Sequence, residues 1–498
     1  MKKVINNIFN FFSRLSKKTK ITILVVTLLI LGVTVLYQTF ATSSTISGDS
    51  TNGYTVTLDN SGTVSIPASG SKTVYFKVKN TNNATVKYGV GYSGSNITVK
   101  EYSDSDNPSA GTISKGESKF VKLYITNSGT SASTATITTI LGYENGGDLI
   151  VPSGYTLVTS IYTVPVNLVT HITKLYTSAT KTPKTVNSIE YNLAPSEFLM
   201  NDRLGSMSTG IDAGNIRYYG ATPNNYIYFN CDDYSNQTSS TCETWRIIGV
   251  FNGKVKIMRG SQIGTYSWDN KNTSTGAETA QGKNDWSTAR LMKLLNPSDY
   301  YTIDSNDNKN GQSLYWNRLN GTCFAGQNNA TKTCDFTSTG IKNDITRNMI
   351  SESMWYLRGW NSNSVYSDQI YEYERTTGSV YNTTRPPSWK GKIALAYPSD
   401  YGYAADFGQC TKQLNSYNDS TCTSNNWMKA IIAPNEGWLL TPNLGNSYIA
   451  WYVTISGYVH DDGGTYGTIG ATPVLYLGSE LEIKAGDGSN SAPYQLSA

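Results

Sequence analysis

The residues that could do chemistry are gathered late in the chain. From Asn443 to Gly470 the sequence reads NLGNSYIAWYVTISGYVHDDGGTYGTIG. Tyr and Trp give contact area at low entropic cost and flat faces that stack on sugar rings, while Asn and Asp orient polar ligands. The candidate ligand-binding set is Asn443, Asn446, Tyr448, Trp451, Tyr458, His460, Asp461 and Tyr466. Trp451 has a second reading, because Trp-x-Val alternation is what a half-buried strand shows. The run His460-Asp461-Asp462-Gly463-Gly464 offers paired carboxylates to a cation. It lacks the D-x-D-x-D-G spacing of an EF-hand loop, and a solvated turn uses the same residues.

Acid–base chemistry has fewer candidates. In YEYER (371–375), Glu372 and Glu374 share a face if the segment is a strand, which is suggestive of two-carboxylate glycoside hydrolysis. No opposing acid can be placed, and a structural Glu–Arg pair is the simpler reading. Asp400 and Asp406, in loop-like sequence before Cys410, are read in the same way. Histidine occurs twice, at His171 and His460, which excludes His-rich metal sites and the common zinc hydrolases. No residue pattern calls for a cofactor or a resident metal.

The cysteines lie in the second half: Cys231, Cys242, Cys323, Cys334, Cys410 and Cys422. They are expected to form disulfides in an exported chain. Their repeated short spacing makes three local loops the natural arrangement, although spacing alone leaves the connectivity open.

Composition narrows the function classes. Lys plus Arg is 40 and Asp plus Glu 36, a net of +4. Six of the basic residues fall in residues 1–20, leaving a body of net −2 with no basic stripe. Nucleic-acid binding is therefore not expected. Charged residues are 15% of the chain, and 44 Gly and 36 Tyr help fill their place. That polar, uncharged, Tyr-rich balance suits exported β-rich proteins and adaptable binding surfaces.

The elements that must position these residues follow from patterning. Residues 1–20 read as a basic cytoplasmic stub and 21–41 as a transmembrane signal anchor, uncharged and long enough to span a bilayer. A cleaved signal peptide ending at Ala41 is the alternative. Residues 42–52 are a polar linker. Residues 53–168 show short period-two runs, as in KTVYFKVKN with Val74, Phe76 and Val78 on one face, and predict an immunoglobulin-like β-sandwich. Residues 169–195 read as a connector, and 196–498 as one α+β domain. Within it, IIGVF and KVKIM flank Asn252-Gly253, the preferred pair of a type I′ hairpin. Helices are expected over 285–296, capped by Asp285 or Ser287 and stopped by Pro297, and over about 341–357.

Across 186–498 the chain resembles a family of exported Firmicutes surface proteins that end in a lectin-like domain. The resemblance rests on IRYYGATPNNYIYFNC (216–231), ETWRIIGVF (243–251), MWYLRGW with YEYER (354–375), SWKGKIALAYPSDYGYA (388–404), NNWM (425–428), GWLLTPN (437–443) and ATPVLYL with GDGSNSAPYQL (471–496). The order WLLTP, W-x-V, PVLYL also resembles the end of C-type-lectin-like domains of the formylglycine-generating and variable-receptor sort. This implies a compact body of two helices and mixed sheet, with a ligand surface on the loops before the last strand. The lectin calcium motifs are absent, and Cys422, the last cysteine, has a nearer partner in Cys410 than a redox pair would need. Binding alone carries over.

The expected fold class is thus a membrane-anchored multidomain chain: an N-terminal transmembrane helix, an all-β immunoglobulin-like sandwich, then an α+β C-type-lectin-like domain. The expected protein sits in the cell membrane with its C-terminal part outside and is not an enzyme. It would present a domain that binds an extracellular glycan or protein ligand on a β-sandwich stalk. A structural or assembly subunit of the envelope and a glycan-acting envelope enzyme are the alternatives.

Overall fold

Backbone pairing divides the chain at 164/165 into two units, each considered on its own. The structure, a computed structural model, describes residues 61–81, 85–142, 149, 151–162, 166–203, 214–270, 280–303 and 310–497. The expected stub, anchor and linker over 1–52 lie outside the described residues. The expected fold class is corrected. The described residues are mostly β-sheet, 39% strand and 14% helix. Among the described residues no helix is long and apolar enough to cross a membrane.

The first unit is a two-sheet sandwich. Its strands are β1 (Ser61–Ile66), β2 (Ser71–Lys79), β3 (Val86–Ser93), β4 (Ile97–Tyr102), β5 (Ala110–Ile113), β6 (Ser118–Asn127) and β7 (Ser133–Leu141). One sheet runs β1-β7-β3-β5, with the short strand Thr156–Leu157 added on β3, and the other β2-β6-β4, with Ile161–Tyr162 added parallel to β4. Alternation does the folding: Val74, Phe76 and Val78 on β2 and Val121, Leu123 and Ile125 on β6 point into one core. The connectivity is not that of an immunoglobulin domain, where the first two strands lie in one sheet. Here, from β1 to β7, each strand is followed by one in the other sheet, so odd and even strands segregate. Buried amides fasten two crossings. Asn80 donates to the Ile113 carbonyl at 2.9 Å, and Asn127 donates to the Pro67 carbonyl at 3.0 Å.

The second unit begins earlier than its sequence suggested. Residues 169–195, expected to be a connector, belong to it. Helix α1 (Leu168–Ser178) is capped by Asn167, whose side chain accepts from Thr170 N, and it buries Leu168, Ile172 and Tyr176. Strands Thr182–Val186 and Ile189–Ala194 then form one edge of a ten-stranded sheet. That sheet contains β8 (Ile216–Tyr218), β9 (Tyr226–Phe229), β10 (Glu243–Phe251) and β11 (Lys254–Arg259). The β10–β11 hairpin turns at Asn252-Gly253 with φ of 50° and 73°, the left-handed pair that the Asn-Gly signal predicts. The same sheet includes β17 (Val474–Leu477), paired with β11, and beside it stand a ribbon of β12 (Ser353–Tyr356) with β13 (Ser388–Gly391) and the strands β14 (Gly437–Pro442), β15 (Ile449–Val453) and β16 (Val459–Gly464).

Helices in this unit are short, so α+β overstates them. The 285–296 segment splits into a 3-10 turn, Trp286–Thr288 capped by Asp285, and helix α2, Arg290–Leu295. The 341–357 segment holds one six-residue helix, Asp344–Met349, then strands. YEYER is helical: α3 (Ser367–Arg375) begins where Gln369 Oε1 accepts from Tyr366 N at 3.0 Å. Helix α4 (Pro398–Tyr403) starts on a proline. Three disulfides, Cys231–Cys242, Cys323–Cys334 and Cys410–Cys422, join each cysteine to its neighbour in sequence.

Candidate functional site

The late segment forms the β14–β15–β16 sheet, and its suspected residues separate by depth. Trp451 is fully buried, with Nε1 donating to the Trp360 carbonyl at 3.3 Å. Asn443 is a buried turn residue: Nδ2 donates to the Asp461 carbonyl at 2.7 Å, and Oδ1 accepts from Gly445 N at 2.6 Å. Asn446 accepts from Tyr448 N within its own turn. His460 stacks on Tyr452, rings 5.5 Å apart, and pairs with Asp462. The Tyr458 ring lies 5.3 Å from that of His460.

The half-exposed residues do not converge. Register sets His460 opposite Tyr452 and Gly464 opposite Ile449. Tyr458 and His460 therefore mark one end of the β15–β16 hairpin, and Tyr448 and Tyr466 the other, roughly 13–20 Å away along the strands. Burial pushes the Asp461 carboxyl up, with His460 opposing. Among the described residues no group of His, Cys, Asp and Glu is arranged to hold a metal.

A concave site does exist, elsewhere in the unit. It is a cleft of about 520 Å³ between the β10–β11 turn, the β12–β13 ribbon and helix α3. The ribbon supplies one wall by alternation. Trp355 and Trp389 face each other across it and turn into the core, while Met354 pairs with Lys390 and Tyr356 with Ser388 on the opposite face. Met354 is 50% and Tyr356 39% exposed, an unusual display for such side chains. Tyr356 is fixed from behind: its N–H donates to Tyr397 Oη at 2.7 Å, and that hydroxyl donates back to the Tyr356 carbonyl at 3.1 Å.

Helix α3 supplies the second wall. Residues two apart on a helix do not share a face, so Glu372 and Glu374 part company. Glu372 is exposed on the cleft lip, and Glu374 is fully buried. Glu374 bonds Arg375 at 2.5 Å and accepts from Ser399 Oγ at 2.6 Å, so the Glu–Arg pair is present although the strand is not. Arg375 lies 3.6 Å from the Tyr371 ring centre and 4.6 Å from that of Tyr397, so these tyrosines are packed on a cation. Lys254 donates to Ser351 Oγ at 2.6 Å, and Glu352 is engaged by Lys390 and by Tyr300 Oη at 2.9 Å.

Beneath the cleft runs a buried ionic chain. Arg217 joins Asp202 at 2.6 Å and Asp400 at 2.9 Å, and Asp400 also pairs with Lys256. All four are essentially without solvent access. Asp400, expected in a loop, accepts the Tyr397 N–H at the start of α4. Burial pushes its carboxyl up, but Lys256 and Arg217 outweigh burial and hold it at about 2. Four rings, Phe251, Trp355, Tyr397 and Tyr476, surround Lys256 within 5.5 Å. The cleft floor is thus an aromatic layer clamped on fixed charges, which holds the ring positions rigid.

Comparison with family models, curated proteins and solved structures gives no match. The resemblance to lectin-like surface proteins stands without support from a relative, and the site is argued from geometry. Its sequence signal was the M-W-Y and S-W-K alternation across the ribbon, which assigning 341–357 to a helix conceals.

Proposed function

We propose that the second unit is a binding module, and that its ligand is an extracellular glycan or protein segment held in the cleft between the β12–β13 ribbon and helix α3. The observation that carries this reading is the cleft itself: about 520 Å³, with Tyr356, Tyr371, Tyr397, Tyr476, Phe251 and Met354 in its walls. Rigid aromatics with a few polar groups at the rim are the composition of a site that selects by stacking and orientation. Three disulfides support an oxidising, extracellular setting. In this reading the sandwich acts as a spacer. A glycan-cleaving role fits less well. Lys390 and Tyr300 hold the Glu352 carboxyl below its ordinary range, the wrong direction for a general acid.

The test is binding of the intact chain to glycan and peptide arrays, with Tyr356→Ala and Met354→Ala compared with Tyr448→Ala. The cleft variants are expected to lose binding by about tenfold or more, and Tyr448→Ala to keep it. Equal binding by all three, or loss only in Tyr448→Ala, would remove the cleft from the reading.

A further inference from the structure

The hairpin that turns at the cleft opens, at its other end, on a second cavity. It measures about 340 Å³, and its wall includes Tyr226, Thr244, Arg246, Arg259, Ser261 and one carboxylate, that of Glu243. Arg246 is 7% exposed. It sits opposite Tyr226 in the β9–β10 register, its guanidinium 3.7 Å from the Tyr226 ring centre and 4.9 Å from that of Trp427. Nε donates to Asn225 Oδ1 at 2.6 Å, and Nη2 reaches the Pro223 carbonyl at 3.4 Å. Nη1 donates to nothing among the described residues, and no carboxylate pairs with this cation. That is unusual, because a buried charge is costly unless it is paired.

The neighbouring charges are already balanced. Arg259 pairs with Glu243 at 3.0 Å and donates through Nη1 to Ser261 Oγ at 2.7 Å. The Ser261 hydroxyl, accepting there, keeps its own proton to give. The Thr244 hydroxyl lies on the same lip. One net positive charge, a planar fork stacked on Tyr226 and two hydroxyl donors therefore face one cavity. We infer that this cavity is a second binding site, independent of the cleft, and that it takes the carboxylate of a small acidic ligand. A monoanion balances the single free charge of Arg246, whereas a dianionic phosphate would leave one charge unmet. Guanidinium and carboxylate also match as planar partners.

The intact protein is titrated with glucuronate and with N-acetylalanine, which carry the same carboxylate on a sugar and on an amino acid, and with glucose and inorganic phosphate. Melting temperature and calorimetric binding are the readouts. Either carboxylate is expected to raise the melting temperature with concentration, since a ligand that binds only the folded state stabilises it. Which of the two binds more tightly identifies the ligand's source. Arg246→Gln should weaken carboxylate binding about tenfold or more. Arg318→Gln, which removes an equal charge from a cation already near Asp232, should leave it unchanged. If Arg246→Gln fails to fold, Ser261→Ala and Thr244→Val on the lip should each weaken binding by a few-fold. Glucose binding as well as glucuronate, phosphate binding more tightly than both carboxylates, or no response at tens of millimolar would each overturn the site. A neutral cleft variant would not touch it, because Arg246 and Phe251 are five residues apart along β10.

Discussion

At the scale of the residue, the most deeply buried ionic chain of the second unit converges on one carboxylate. Asp400 is the centre, serving Arg217, Lys256 and the N–H that opens α4. Asp400→Asn leaves two buried cations facing a neutral amide. The expected cost is roughly 3–5 kcal/mol, the range for removing one partner of a buried pair, and urea denaturation would measure it. A loss below about 1 kcal/mol would mean that water or relaxation satisfies the cations. The same residue sets a pH dependence. Its folded carboxyl titrates near 2, below its ordinary 3.8. A depressed carboxyl contributes stability that is present above the ordinary value and lost as pH falls through 3.8 toward 2. Urea midpoints between pH 5 and pH 2 should therefore fall more steeply for the wild type than for Asp400→Asn, a difference that disappears if Asp400 is not the titrating group.

At the scale of the element, the small stapled hairpin Asn320–Phe324 with Thr331–Asp335 gives a separable test. The Cys323–Cys334 bridge closes a loop of sequence separation 11. Replacing both cysteines by serine is expected to cost roughly 2–4 kcal/mol, read as a lowered denaturation midpoint in non-reducing buffer. A shift below about 1 kcal/mol would show that the strands hold without the staple. Elements also show what the sequence could reveal. Period-two runs gave the sandwich strands, because one face of each is buried, and Asn252-Gly253 gave its turn because few pairs tolerate that backbone. YEYER deceived because its Tyr–Glu alternation mimics a strand. Burial of Ile370, Tyr371 and Glu374 at helical spacing decides against that pattern. Lys256 lies in KVKIM, one arm of the Asn252-Gly253 hairpin. It is buried because β11 is an inner strand, flanked by β10 and β17. The Arg217–Asp400–Lys256 chain joins positions far apart in sequence, which no local window can see. Of the late-loop candidates, Trp451 and Asn443 turned out to be framework, since alternation and turn chemistry recur in core and contact surface alike.

At the scale of the whole molecule, two cores are built separately. One apolar cluster draws only on residues from Val64 to Val158, and the others only on residues from Leu168 to Leu496. Calorimetry of the intact protein should resolve two transitions, and reducing the disulfides should lower one of them alone, because every cysteine belongs to the second unit. A single transition shifting as a whole would mean that the cores unfold together. The second unit is also fastened where its ends meet. Val166 pairs with Ile483, Leu496 pairs with Ile483 on the other side, and His171 Nε2 meets Tyr494 Oη at 3.1 Å. During synthesis the sandwich strands through Tyr162 leave the ribosome early and have all their partners at hand. Helix α1 finds its packing partners in β8, β10 and β11, but the strand Val166–Asn167 must stay unpaired until more than 300 further residues have been made. Closure of this edge therefore waits on residues 482–496, and until they arrive the open strand edge is exposed to the mispairing that folding assistance prevents.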